Sequence, residues 1–143
     1  MIQIINGPNL NLVGKREPDV YGSLDFETFL RGLRERFPEI PIGYYQSNIE
    51  GELVDTIQKW GYDPDCRGII LNPGGYSHYS VAIADAVAAV PARVVEVHIS
   101  NIHGREAFRH NSVTASQASG VIAGFGLDGY RLAAQAIIEG DIK

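Results

Sequence analysis

The stretch GIILNPGGYSHYS, residues 68–80, decides the fold of this chain. Its apolar start predicts a strand over residues 68–72, because a continuous apolar run is typical of a parallel strand buried on both faces. A turn rich in glycine and proline follows, and an alanine-rich helical pattern then covers residues 80–90. A strand, a short turn and a helix in this order predict one unit of an α/β fold.

The same alternation of strand and helix extends outward to both ends of the chain. Short apolar runs predict five strands, over residues 2–6, 40–45, 68–72, 93–97 and 120–125. Helical spacing of apolar residues predicts four helices, around residues 26–37, 53–60, 80–90 and 129–139. This alternation argues for a three-layer sandwich, with a parallel sheet between two layers of helices. Five strands in 143 residues suit the flavodoxin-like winding, with strand order 2-1-3-4-5 in a single domain over residues 1–143.

Polar residues ahead of the first two helices indicate where those helices begin. Ser23 or Asp25 is the expected N-cap of the first helix, and Pro38 ends it. Ser47 and Glu50 lie three residues apart ahead of the second helix. This spacing predicts a capping box, in which each side chain bonds to the backbone of the other residue.

The composition excludes several classes of partner. Acidic residues outnumber basic ones by 17 to 12, and the formal charge of −5 argues against a general nucleic-acid binder. No apolar run approaches the roughly 18 residues of a membrane helix, and the first residues lack a signal-peptide pattern. The single cysteine, Cys66, excludes an internal disulfide and suggests a reducing compartment. We therefore expect a cytoplasmic protein that binds neither membrane nor nucleic acid.

One long segment, NGPNLNLVGKREPDVYG at residues 6–22, keeps neither a helical nor a strand period. Loops of this length are uncommon inside compact domains unless they are lids or binding loops. The segment follows the first predicted strand directly. We therefore interpret it as an active-site loop.

Three polar turns follow predicted strands, and they occupy residues 6–9, 72–75 and 98–101. Ligands of doubly wound sheets bind outside the carboxyl ends of the strands, at the point where the strand order reverses. With the order 2-1-3-4-5, the first, third and fourth strands are neighbours. The three turns are therefore expected to line one cleft.

Two nucleotide-binding motifs are matched only in part. Residues 124–129 fit GxGxxG between a strand and a helix, but the chain ends before the βαβ unit and the acid about 20 residues on that a dinucleotide site requires. Residues 7–15 resemble a phosphate-binding loop, but the glycine spacing is too long and Arg16 replaces Ser or Thr. We interpret the first motif as a turn and a helix start, and we reject the second.

Metal binding is not expected. His98, His103, His110 and Glu96 lie in the same part of the chain, but their spacing fits no known zinc pattern.

Glu96, His98 and Ser100 alternate at the end of the fourth strand, which places them on one side of it. A strand end that emerges into solvent would explain the pattern. A histidine beside a carboxylate in a predicted cleft is also the usual acid–base arrangement, and we favour that interpretation. A serine hydrolase is less attractive, because the chain contains no GxSxG nucleophile elbow.

Arg16 and Tyr21 lie near the end of the long loop, where an exposed Arg and Tyr would be ordinary. A catalytic role would require a phenolate, and lowering a pKa from about 10 to about 7 requires about 4 kcal/mol. One guanidinium at about 4 Å supplies at most about 4 kcal/mol at an effective dielectric constant near 20. A second cation, Arg105 or Arg109, would help to lower the pKa of the phenol.

His78, Asp85 and a basic cluster each have a functional and a non-functional interpretation. His78 follows the 72–75 turn and is either a helix-capping residue or a ligand contact. Asp85 lies within an apolar helix, and the simpler assignment places it on the solvent-exposed face of that helix. The cluster of Arg105, Arg109 and His110 is either a solvated patch or an anion clamp.

Taken together, these segments resemble the type II 3-dehydroquinate dehydratases over essentially the whole chain. The matching segments occur in the order and at the spacing of that family: NGPNLN, GKREPDVYG, QSNIEGELVDTI, NPGGYSHYS, EVHISN and GREAFRH. Each segment is modestly specific, and their joint occurrence is highly specific. Three positions depart from the family pattern, namely Gly75 for Ala, Tyr79 for Thr and Asn111 for His.

The resemblance implies a reversible dehydration of 3-dehydroquinate to 3-dehydroshikimate through an enolate, without metal or organic cofactor. Tyr21 would be the base that removes a proton from C2, and Arg16 would lower its pKa. Asn9 would stabilise the enolate through a water molecule. His98, oriented by Glu96, would be the acid that protonates the leaving hydroxyl.

The resemblance also implies contacts with the rest of the substrate and an assembly. The hydroxyls and carboxylate of the substrate would be held by Asn72, His78, Arg109 and the backbone of Ile99 and Ser100. Asp85 would come from a neighbouring subunit, in a dodecamer built as a tetramer of trimers. The enzyme would serve either aromatic amino acid biosynthesis in the shikimate pathway or quinate breakdown.

A different class of function would be a flavodoxin-like binding or receiver module without chemistry. A receiver requires clustered acids after the first strand and an Asp after the third, where this chain has Asn6, Asn9 and Asn72. A flavin carrier requires a phosphate loop rich in Ser and Thr after the first strand, where Pro and Asn occur instead. An inactive relative is unexpected, because the full set of catalytic residues is present.

Overall fold

The computed structural model describes residues 1–15, 17, 19 and 23–140. Its sheet contains five strands, each a short apolar run of the sequence: β1 (Ile2–Asn6), β2 (Ile42–Gln46), β3 (Gly68–Asn72), β4 (Val94–His98) and β5 (Gly120–Ala123). All neighbouring strands are parallel, and the order is β2-β1-β3-β4-β5. The predicted order is therefore confirmed. In this register Asn6 lies beside Asn72, so two polar strand ends meet at the carboxyl edge.

In the part of the chain that the structure describes, four α-helices cover the two faces of the sheet: α1 (Phe26–Arg36), α2 (Glu50–Gly61), α3 (Val81–Ala89) and α4 (Asp128–Glu139). Residues of α1 and α4 join one apolar cluster, which includes Leu30 and Tyr130. Residues of α2 and α3 join a second cluster, which includes Leu53 and Ile83. Because each sheet face has its own core, the chain has the predicted three-layer, flavodoxin-like architecture.

The structure distinguishes between the predicted helix caps. Asp25 caps α1, since its Oδ1 accepts a 2.7 Å hydrogen bond from the backbone N–H of Thr28. The predicted capping box of Ser47 and Glu50 is wrong. The helix starts at Glu50 itself, so this side chain lies in the first turn and instead accepts a 2.6 Å hydrogen bond from Ser80. Ser80 is the N-cap of α3.

The predicted bounds of β1 and β3 agree with the structure, whereas other predicted element ends differ from it by one to a few residues. β2 begins at Ile42 and not at residue 40, because Ile40 bonds to Phe37 in a turn and precedes a proline. β5 ends at Ala123, because Gly124 adopts a positive φ of 92° that breaks the strand.

Within the described part of the chain, no helix is long and apolar enough to cross a membrane.

A buried tyrosine on α4 joins the ends of β1 and β3. The hydroxyl of Tyr130 donates to Asn6 Oδ1 at 2.8 Å and accepts from Asn72 Nδ2 at 2.9 Å. All three residues are buried. Burial raises the pKa of Tyr130, so the hydroxyl stays protonated and keeps both hydrogen bonds. This contact fixes the spacing of the two turns that follow these strands.

Replacing Tyr130 with phenylalanine is expected to lower the free energy of unfolding by about 1–3 kcal/mol, because both buried amides lose their hydroxyl partner. Urea unfolding at one fixed protein concentration measures the loss. Tyr62→Phe is the matched control, since that hydroxyl also donates a hydrogen bond (to the Ala89 carbonyl) but belongs to an exposed side chain. Equal stability of the two variants would contradict a special role for the buried hydroxyl.

Candidate active site

A cleft of about 140 Å³ opens at the carboxyl edge of the sheet, where the three predicted turns meet. The turns after β1, β3 and β4 all contribute to its wall, as the strand order predicts. The lining residues are Pro8, Asn9, Leu10, Leu12, Val13, Asn72, Gly74, Gly75, His78, His98, Ile99, Ser100, Ile102, Arg105 and Arg109. Seven of the predicted site residues are therefore brought together: Asn9, Asn72, His78, His98, Ile99, Ser100 and Arg109.

Asn9 presents an unusual backbone to the cleft. Its φ of 68° and ψ of −2° are left-handed, a conformation that asparagine tolerates better than most side chains. It precedes a short 3-10 turn at Leu10–Leu12, within the loop predicted to be irregular. Gly7 lies so close to the next turn that an added Cβ would stand 2.5 Å from the Pro73 carbonyl oxygen. The turns after β1 and β3 are therefore in direct contact.

The acid–base pair predicted at the end of β4 is present. His98 Nε2 lies 2.7 Å from Glu96 Oε2, and both side chains are buried. His98 also lines the cleft, whereas Glu96 lies behind it. The carboxylate is therefore placed to orient the imidazole without contacting a ligand.

Two hydroxyl groups complete the environment of Glu96, and sequence analysis missed both. Ser112 Oγ donates to Glu96 Oε2 at 2.7 Å, and Thr114 Oγ1 donates to Glu96 Oε1. Their spacing of two residues, in the loop between β4 and β5, was the available signal, since residues two apart in extended chain face the same way. That signal is weak, because such hydroxyl pairs are common in loops.

Three donors around one buried carboxylate determine its charge. Burial by itself would raise the pKa of Glu96, but hydrogen bonds from His98, Thr114 and Ser112 and the attraction of His98 outweigh it. The net effect is a pKa below the usual value. Glu96 is therefore an anion at neutral pH and accepts a hydrogen bond from the Nε2–H of His98.

The basic cluster is only partly directed at the cleft. Arg105 and Arg109 line it, whereas His110 is exposed and its Nε2 contacts the Arg105 carbonyl oxygen at 2.9 Å. Arg109 Nε donates to Glu106 at 2.8 Å, and its guanidinium lies 4.9 Å from the centre of the Phe108 ring. Two guanidinium groups therefore lie at one side of the cleft, both beside the Glu106 carboxylate.

His78 is a wall residue of the cleft and not a helix cap, since Ser80 caps α3. Its Nδ1 lies 2.7 Å from the carbonyl oxygen of Asn111, and its ring centre lies 6.4 Å from that of His98. The ligand-contact alternative of the sequence analysis is therefore the one that the geometry supports.

Asp85 is not brought to the cleft of the single chain. Asp85 lies on the exposed face of α3, as the simpler assignment of this residue expected. Arg16 and Tyr21 lie outside the described residues. Within the described part of the chain, no three His, Cys, Asp or Glu side chains are grouped to hold a metal ion.

A family model described as dehydroquinase class II matches residues 1–138 of the sequence. The chain belongs to the class II dehydroquinase family. A relative from Exiguobacterium sp., named 3-dehydroquinate dehydratase, is 51% identical over 139 residues, which cover 96% of this chain and 94% of the relative.

Solved structures of the family show the same architecture. The type II dehydroquinase of Butyrivibrio crossotus superposes with a TM-score of 0.92 and 44% identity, covering 96% of this chain and 97% of that one. The type II dehydroquinase of Propionibacterium acnes superposes with a TM-score of 0.88 and 39% identity, covering 96% of each chain.

The three departures from the dehydroquinase pattern do not disturb the described cleft. A Cβ added at Gly75 would meet no atom within 4 Å, so the site has room for the alanine expected in the family. Tyr79 is exposed and packs edge-on against Tyr76. Asn111 contacts His78 through its backbone carbonyl, which any residue supplies.

In this dehydroquinase, Glu96→Gln is expected to lower the free energy of unfolding at pH 7 by about 1–3 kcal/mol, because an amide cannot accept from all three donors. The folded pKa of Glu96 lies below the unfolded value of about 4.3, so its contribution is present above that pH. It is lost as the pH falls through the folded pKa. The difference in free energy of unfolding between wild type and variant should therefore become smaller below about pH 4.

Urea unfolding of both proteins over a pH series measures this difference. Glu35→Gln, on the exposed side of α1, is the control and should change stability by less than about 0.5 kcal/mol at pH 7. Stability curves for wild type and Glu96→Gln that stay parallel down to acid pH would contradict an ionised Glu96.

Proposed function

We propose that this chain catalyses the reversible dehydration of 3-dehydroquinate to 3-dehydroshikimate through an enolate. The observation that carries the proposal is the buried pair of Glu96 and His98, which opens on a cleft that also holds Asn9 and two arginines. Membership of the class II dehydroquinase family and the names of its relatives support the same reaction.

His98 is the proposed acid. Glu96 occupies Nε2 of the imidazole ring, so Nδ1 is the nitrogen left to exchange a proton with a ligand. In the protonated ring, Nδ1–H gives its proton to the hydroxyl on C1 of the substrate. The C1–O bond then breaks and the hydroxyl leaves as water. The anionic carboxylate behind the ring stabilises the imidazolium form before the transfer.

Tyr21 is the proposed base, with Arg16 as the cation that lowers its pKa. The phenolate removes a proton from C2, beside the ketone, and the electron pair passes to the ketone oxygen as an enolate. Arg105 lines the cleft and is a candidate for the second cation that the energy of phenolate formation requires. Asn9, through a bound water, is the proposed donor to the enolate oxygen.

The remaining wall residues suit a small polyhydroxylated anion. Arg109 offers a guanidinium for the substrate carboxylate, and the Ile99–Ser100 segment offers backbone groups beside it. Asn72 and His78 are the proposed partners of the hydroxyls. Their position in one cleft supports these roles.

We also propose the assembly and the setting that the family resemblance implies. The assembly is a dodecamer, a tetramer of trimers, in which Asp85 of a neighbouring subunit completes each cleft. The exposure of Asp85 on α3 is compatible with that position. The single domain of residues 1–143 acts in the cytoplasm, in the shikimate pathway or in quinate breakdown.

The test of the reaction is a spectrophotometric assay with 3-dehydroquinate, which follows the conjugated enone of the product. Wild type is expected to be active, and Tyr21→Phe and His98→Ala should each lose at least about 100-fold in kcat. His103→Ala, at an exposed histidine in the loop between β4 and β5, is the control and should stay within a few-fold of wild type.

Each other outcome of this assay discriminates between hypotheses. Nearly full activity of Tyr21→Phe would keep the reaction and exclude the proposed base. Complete inactivity of wild type, in a correctly assembled oligomer, would favour the binding-module alternative.

An imine mechanism would require a buried lysine, and the described lysines are exposed. Lys15 lies in the long loop, and Lys59 packs its ammonium group 5.1 Å from the Trp60 ring on α2. Treatment with borohydride in the presence of substrate should therefore leave the activity intact. Inactivation together with a covalent adduct, detected by mass spectrometry, would overturn the enolate mechanism.

A further inference from the structure

The segment QSN at residues 46–48 touches the active-site loop without lining the cleft. Asn48 Oδ1 accepts a 2.9 Å hydrogen bond from the backbone N–H of Asn9. Asn48 is not among the residues of the cleft wall, whereas Asn9 is. The hydrogen bond therefore holds the backbone of Asn9, a wall residue, from a position outside the cleft.

Asn9 is a residue whose conformation depends on such a contact. A left-handed backbone is unfavourable for a residue with a Cβ and persists where the surroundings hold it. The carbonyl of Asn9 accepts from Leu12 N at 3.0 Å, and its N–H is held by Asn48. These two bonds hold both sides of the residue and so set the direction of its side chain.

Asn48 is itself anchored on several sides. Its Oδ1 also accepts from Gln46 Nε2 at 3.1 Å, and the same Nε2 lies 3.2 Å from the carbonyl oxygen of Gly7. The backbone carbonyl of Asn48 accepts a 2.8 Å hydrogen bond from the hydroxyl of Tyr76. The segment thus links the turn after β1 to the turn after β3.

We infer that Asn48 is a positioning residue for turnover, because its side-chain oxygen holds Asn9 in the left-handed conformation that aims the Asn9 side chain at the reacting centre. The inference rests on the proposed dehydration, in which Asn9 stabilises the enolate. Because that charge develops only in the transition state, misplacing Asn9 lowers kcat and leaves substrate binding nearly unchanged.

The decisive comparison is between Asn48→Ala and Asn48→Asp in the assembled enzyme. Alanine removes the acceptor, whereas aspartate keeps an oxygen at the same position and can accept from both Asn9 and Gln46. Asn48→Ala is expected to lower kcat with 3-dehydroquinate about tenfold, with KM within about twofold of wild type. Asn48→Asp should recover most of kcat. Repeating the assay at high salt screens the charge that aspartate adds.

Hydrogen–deuterium exchange, read by mass spectrometry, reports on the loop independently of activity. Peptides covering residues 7–13 should exchange about tenfold faster in Asn48→Ala than in wild type and return towards wild type in Asn48→Asp. Peptides covering β3 should not change in either variant, which shows that the fold is intact.

Three results would overturn the inference: an unchanged kcat in Asn48→Ala, equal losses in Asn48→Ala and Asn48→Asp at high salt, or unchanged exchange of residues 7–13. An inactive wild type would remove the proposed function instead. In that case the exchange comparison would still decide whether Asn48 holds Asn9.

Discussion

The parallel pairing of β1 with β3 is the constraint on which the rest of the structure depends. It places Asn6 beside Asn72 at the carboxyl edge, where Tyr130 bonds to both. Backbone hydrogen bonding continues past the strands, since Gly7 N donates to the Asn72 carbonyl at 2.7 Å. The two turns that follow therefore start from fixed positions. The walls of the cleft between these turns are held in place by the sheet.

The chemistry of the cleft depends on a second buried arrangement, the carboxylate of Glu96. An unpaired buried carboxylate would be very unfavourable, and it would avoid that cost by taking up a proton. Here His98, Ser112 and Thr114 all donate to it, so it stays ionised in the interior. The bond from His98 also orients the imidazole ring. In the proposed mechanism, one set of contacts therefore contributes both to stability and to the orientation of the proton donor.

The architecture and most of the cleft could be predicted from the sequence. The alternation of strands and helices, the strand order and the meeting of three turns were all confirmed. The capping box of Ser47 and Glu50 was wrong, because a local spacing rule competes with tertiary contacts, and Ser80 binds Glu50 instead. The hydroxyls of Ser112 and Thr114 were missed, because they come from a loop far along the chain from Glu96.

The sequence by itself determined the layers and the polar residues that end β1, β3 and β4, because apolar periodicity and turn composition are local properties of the chain. Only the tertiary structure decided which polar groups meet. Asn9 is held by a residue 39 positions away, and Tyr130 reaches Asn6 across 124 positions. Such contacts depend on the packing of whole elements against one another, and no local pattern in the sequence records that packing.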